Sequence, residues 1–113
     1  MNETKTVLVT GGARGLGAAV VTAAAKAGWQ PWVLDLRAPA DGVPWAVCDL
    51  ADTRTAEAAT RQIAERAGGL DAVVTAAGTD VPGRLADVPP EVWERVVAVD
   101  LLATAAVVRA ALP

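Results

Sequence analysis

The feature that most constrains this chain is a short apolar strand that empties into a glycine-studded turn and then into an alanine-rich helix. The run reads Val7-Leu8-Val9-Thr10-Gly11-Gly12-Ala13-Arg14-Gly15-Leu16-Gly17. A helix begun in this way presents backbone N–H groups with no intrahelical acceptor, at the positive end of its dipole. Glycines let an anion approach those groups with no Cβ in the way, so a diphosphate site is expected. Asp35 closes a second strand, Trp32-Val33-Leu34-Asp35, and lies 35 − 17 = 18 residues beyond the last glycine. An acidic side chain about 20 residues past such a turn is placed to accept hydrogen bonds from an adenosine ribose.

The remainder of the chain alternates strand and helix, the pattern of a parallel sheet covered on both faces. Strands are expected at about Thr6 to Thr10, Pro31 to Leu36, Trp45 to Asp49 and Ala72 to Ala76. The last is nearly all apolar, as for a strand buried on both faces. A first helix runs from about Arg14 to Ala27 and stops at Gly28, where positive φ costs little. A second is capped by Asp52 or Thr53, reaches about Ala67 and ends at Gly68-Gly69, with Glu57 and Arg61 at i,i+4. Past a loop containing Pro82 and Gly83, a long apolar helix is expected from about Pro90 to Leu112.

At 113 residues and 53% hydrophobic, the chain is read as one domain over residues 1–113 with a real core. A net charge of −3 with dispersed basic residues leaves no footprint for nucleic acid or an anionic membrane. The lone Cys48 cannot form an internal disulfide and reads as a small core residue, and no signal peptide or long apolar span is expected. A reducing, cytoplasmic setting follows as the expectation.

Glycine spacing then separates the nucleotide-binding classes. A G-x-G-x-x-G reading from Gly15 fails at Val20, and a P-loop reading fails because Ala18 stands where the phosphate-binding Lys must be. What is present, from Thr10 to Gly17, is T-G-x-x-x-G-x-G, and here the chain resembles the short-chain dehydrogenase/reductase family. The resemblance extends over nearly the whole chain through Asp35, Cys48-Asp49-Leu50, the strand Leu70-Asp71-Ala72-Val73-Val74 and Ala77-Gly78.

That resemblance implies an α/β fold, a Rossmann-type doubly wound parallel sheet of which this chain supplies the first half. It implies a nicotinamide dinucleotide held by Gly11, Arg14, Gly15, Leu16, Gly17, Asp35, Leu36, Cys48, Asp49, Leu50, Ala76, Ala77, Gly78 and Val99. Asp49 stands at the family's adenine-contacting position. Arg14 is suited either to a solvated helix start or to a 2′-phosphate. Because Asp35 would repel that phosphate, NAD is expected over NADP. The implied reaction passes hydride between nicotinamide C4 and a small-molecule carbonyl or secondary alcohol. The implied partners are a second copy, or a chain supplying the missing half, meeting the apolar run Val96 to Leu112.

Three departures from the family pattern stand out. Thr75-Ala76-Ala77-Gly78 replaces Asn-Asn-Ala-Gly, removing amides that brace neighbouring strands. Val99-Asp100-Leu101 replaces Val-Asn-Leu, so Asp100 carries over only as a catalytic-support residue. The family's second half carries a Ser and a Tyr-x-x-x-Lys, whereas these 113 residues contain no Ser, no Tyr and only Lys5 and Lys26 as lysines. The chain as given is therefore expected to lack the usual catalytic machinery. Two other classes remain open: a non-catalytic nucleotide-binding or interaction module, and an S-adenosylmethionine-dependent methyltransferase. The glycine spacing and Ala77-Gly78 argue against the latter.

Overall fold

The computed structural model describes residues 4–113. Four parallel strands form one sheet in the order β3-β2-β1-β4, with β1 at Thr6–Thr10, β2 at Gln30–Asp35, β3 at Trp45–Val47 and β4 at Ala72–Thr75. Helix α1 (Gly15–Lys26) follows β1, α2 (Thr53–Ala67) follows β3, and α3 (Pro90–Val97) and α4 (Ala103–Ala111) follow β4.

The two-residue period of the strands divides the core. Leu8 and Leu34 point to one face, where Ala56, Ala59 and Ile63 of α2 and Ala103 and Val107 of α4 cover them. Val7, Val9 and Val33 point to the other, against Val21 of α1 with Val20 and Ala24 beside it. Leu8, Leu34 and Ile63 are fully buried, each contributing about 1.5–3 kcal/mol by leaving water. Helices therefore lie on both faces, the expected Rossmann-like arrangement.

Local signals set the helix ends. Gly28 takes φ +87°, and the Trp29 amide donates back to the Ala24 carbonyl at 3.0 Å. Asp52 caps α2, its Oδ1 accepting from the Arg54 and Thr55 amides at 3.1 Å each. Gly68 closes that helix at φ +76°, and the Arg61–Glu57 pair forms at 3.2 Å.

Several boundaries differ from the sequence expectation for physical reasons. β3 ends at Val47, two residues early: Cys48 still donates to the Asp35 carbonyl at 3.0 Å, but Asp49 Oδ1 then accepts the Ala51 amide and turns the chain. β4 is half-buried at all four positions instead of enclosed, because it forms an edge of the sheet. The expected helix from Pro90 to Leu112 is divided by a π-helical segment, Ala98–Leu102. A π segment adds a residue to the turn and shifts the faces that follow. No Gly or Pro announces it in the sequence, and Asp100 lies at its centre.

Candidate functional site

In this strand order the chain leaves β1 for β2 on one side and returns to β4 on the other, which opens a crevice at the carboxyl ends of the strands. A cleft of about 380 Å³ lies there. Gly11, Arg14 and Gly15 enter it from the β1–α1 turn, Asp35, Leu36 and Arg37 from the end of β2, and Cys48, Asp49 and Leu50 from the end of β3. Ala76, Ala77, Gly78 and Thr79 follow β4, and Arg95 and Val99 come from the helices beyond.

The glycines of the turn have different tasks. Gly15 sits at φ +60°, in the left-handed region, and a Cβ there would point into open space beside the cleft. Gly11 sits at φ +70°, where a Cβ would fall 2.7 Å from Ala77 Cα, so β1 and the chain after β4 approach closely because both residues are small. Gly17 faces inward: its Cβ would lie 2.1 Å from the Gly11 carbonyl oxygen. Gly12, which the motif leaves unspecified, is held by packing, since a Cβ would meet Val33 Cγ2 at 2.6 Å. The first intrahelical bond of α1 runs from the Ala18 amide to the Arg14 carbonyl at 3.2 Å, and the Arg14 side chain makes no cap bond. The amides of Gly15, Leu16 and Gly17 thus precede the helical ladder and have no acceptor within it.

Carboxylates brace the cleft walls. Asp35 Oδ2 accepts the Ala13 amide and Oδ1 the Arg37 amide, both at 3.0 Å. Asp49 is gripped at both oxygens by Arg95, at 3.0 and 3.3 Å. This grip, helped by the Ala51 amide, holds the Asp49 carboxyl below its ordinary range. Burial, with Asp49 and Asp52 nearby, pushes the Cys48 thiol up. Where the Asn amides of the family pattern are missing, the Thr10 hydroxyl accepts the Ala77 amide at 3.2 Å and ties the ends of β1 and β4.

Of the fourteen dinucleotide-binding positions expected from the sequence, twelve line the cleft. Leu16 and Gly17 do not: Leu16 is exposed on the outer side of α1, and Gly17 is buried against the turn. Asp100, expected as a catalytic-support residue, also lies outside the lining; its Oδ1 accepts the Thr79 amide at 2.8 Å and anchors the segment after β4. Sequence reasoning missed Arg37, Thr79 and Arg95. The first two adjoin expected residues, but Arg95 is 46 positions from Asp49 and only the fold brings it there. Among the described residues no cluster of His, Cys, Asp or Glu could hold a metal ion, and no helix is long and apolar enough to cross a membrane.

A family model described as short chain dehydrogenase matches residues 5–113. The chain belongs to this family. Among the curated proteins similar to this chain, a D-beta-hydroxybutyrate dehydrogenase of Rhizobium meliloti (strain 1021) is 32% identical over 97% of this chain and 48% of its own length. A 3-oxoacyl-(acyl-carrier protein) reductase from Brucella melitensis, solved in complex with NAD, is 27% identical with a TM-score of 0.83, over 98% of this chain and 49% of that one. A blue fluorescent protein from a metagenomic library, solved with NADPH, is 27% identical with a TM-score of 0.86, over 95% of this chain and 49% of that one. The chain thus spans about half the length of these relatives.

Proposed function

We propose that this chain is the dinucleotide-binding part of an NAD-dependent dehydrogenase or reductase. The observation that carries this reading is Gly15, at φ +60°, with open space where a Cβ would stand. It begins a helix whose first amides lack intrahelical acceptors, and it lines the same cleft as Asp35. Such a cradle fits a pyrophosphate.

In this reading the Gly15, Leu16 and Gly17 amides meet the diphosphate, so Leu16 and Gly17 contribute backbone while their Cβ positions face elsewhere. Asp35 accepts from the ribose hydroxyls with the acceptor capacity left after its bonds to Ala13 and Arg37. Leu36 and Val99 supply apolar surface to the adenine end, and Asp49 supplies an acceptor there. Ala76, Ala77 and Gly78 leave room along the wall after β4. When bound, the nicotinamide supplies hydride transfer to or from a carbonyl or secondary alcohol. Asp35 favours NAD over NADP by charge, while Arg14 and Arg37, which also line the cleft, are the groups that could counter it.

The reading extends to one domain, in a reducing compartment that suits the free Cys48, with association through the helices after β4. The chain from α3 onward exposes Trp93, Val97, Leu101, Val108 and Leu112. Calorimetric titration with NAD, NADP and ADP-ribose tests the proposal. Saturable binding of NAD and ADP-ribose is the expected result, and heats indistinguishable from dilution for all three would leave the non-catalytic interaction module as the better reading.

A further inference from the structure

Arg95 and Asp49 form the one ion pair among the described residues that joins distant parts of the chain. The other two, Arg61–Glu57 and Arg84–Asp87, lie within a single turn. The Arg95 pair is two-pronged, and both partners line the cleft. It also reaches out from α3, a helix with no buried residue. Half-exposed ion pairs of this sort add little to stability, so fold maintenance alone is a weak reason for the geometry.

The acceptor count on Asp49 suggests another reason. A carboxylate has about four acceptor positions. The Ala51 amide and Arg95 Nη2 both donate to Oδ1 at 3.0 Å, and Arg95 Nη1 donates to Oδ2 at 3.3 Å. One acceptor position remains, on Oδ2. Without the guanidinium, a half-exposed Asp49 held only by the Ala51 amide would be free to rotate. With it, the remaining lone pair has a fixed direction before any ligand arrives.

We infer that Arg95 is a positioning residue for the adenine end of the cleft, orienting Asp49 so that its remaining acceptor selects a base with an exocyclic amine. This rests on the dinucleotide reading given above. The chemistry selected is an adenine 6-amino group, a donor, over a 6-oxo group, an acceptor whose oxygen would face the carboxylate.

The probe is nicotinamide hypoxanthine dinucleotide, which has a 6-oxo group and an N1–H where NAD has a 6-amino group and a bare N1, titrated alongside NAD into the wild type, Arg95→Ala, Arg95→Lys, Asp49→Ala and Asp49→Ala/Arg95→Ala. The wild type is expected to prefer NAD by about tenfold, one oriented charge-assisted hydrogen bond. Arg95→Ala should lose most of that preference with little change for the hypoxanthine analogue, and Arg95→Lys, which cannot grip both oxygens, should fall between. Adding Arg95→Ala to Asp49→Ala should have no further effect. Far-ultraviolet circular dichroism on each variant identifies folded protein. Full retention of the preference in folded Arg95→Ala and Arg95→Lys would overturn the inference while leaving the dinucleotide reading intact. Tighter NAD binding by Arg95→Ala would overturn it too, by showing that the arginine competes for the carboxylate. A wild type that binds neither dinucleotide would remove the reading on which it rests.

Discussion

Asp35 Oδ2 accepts the Ala13 backbone amide at 3.0 Å, so the carboxylate at the end of β2 also shapes the glycine turn that follows β1. Its other oxygen, Oδ1, accepts the Arg37 amide. A residue expected to contact a ribose is therefore part of the scaffold that holds the neighbouring glycine turn.

Cofactor choice should follow from that carboxylate. NAD is expected to bind at least about tenfold more tightly than NADP, since a 2′-phosphate would meet Asp35 and forfeit charge-assisted bonds of about 1.5–3 kcal/mol each. Asp35→Asn should lower NAD affinity and narrow the gap, because Arg14 and Arg37 remain at the cleft. Its thermal midpoint should also drop, as the amide can present only one acceptor oxygen to the Ala13 and Arg37 amides. Calorimetry with both dinucleotides and a melting curve check these outcomes, and equal affinities in the wild type would remove Asp35 from the ribose role.

The turn glycines should respond differently to substitution. Gly17→Ala places a methyl 2.1 Å from the Gly11 carbonyl oxygen, backbone that cannot step aside, so stability should fall by about 1–3 kcal/mol or more. Gly15→Ala meets no neighbour and costs only the strain of positive φ, about 1–2 kcal/mol, but its methyl projects beside the cleft. Gly15→Val should weaken NAD binding sharply in protein that still folds. Denaturant midpoints set beside dissociation constants separate the two effects, and unchanged NAD affinity for Gly15→Val would sink the diphosphate assignment.

Acid should destabilise the fold through Asp49 and Asp52. Both are held below the ordinary carboxylate range, Asp49 first by Arg95 and Asp52 first by the Thr55 amide. Protons therefore bind the unfolded chain more readily than the folded one. The stabilisation is fully present above the unfolded value, about pH 4, and is lost as pH falls through the lower folded values. Asp52→Asn keeps an equally good cap but removes the titration, so urea unfolding at a series of pH values should show a shallower acid decline than the wild type. Superimposable curves for the two proteins would exclude this source.

The 113 residues should show no appreciable hydride transfer with a panel of alcohols and ketones. General acid–base assistance supplies about 10²–10⁴-fold, and the chain contains no Tyr and no Ser to provide it in the family's manner. Absorbance of NADH reads the reaction directly. Robust turnover by these residues alone would point to another base, with Asp100 the first to test.

Most of the architecture is legible from local chemistry. The glycine turn, the Asp52 cap, the stops at Gly28 and Gly68, and the alternating apolar strands each carry their signal within a few residues. The cleft floor is legible for the same reason, since strand ends mark it. Interactions between distant segments leave no such trace. Arg95 is an ordinary helix arginine until the fold brings it to Asp49, and Gly12 looks unconstrained until Val33 packs over it. The half-exposure of β4 depends on its place at the sheet edge, which four similar apolar residues cannot reveal. The π segment at Ala98–Leu102 likewise coincides with a long-range bond, from the Thr79 amide to Asp100.

The central position of β1 has a consequence for how the chain is made. Val7 pairs with Pro31 on one side and with Ala72 on the other, the second partner 72 − 7 = 65 residues downstream. During synthesis the first strand emerges long before its second neighbour, and parallel pairing across such a crossover is slow to form. An apolar segment, Val7-Leu8-Val9, must wait in the nascent chain with one flank open to any passing strand. The strand at the centre of the finished sheet is thus the one that waits longest for its second partner during synthesis.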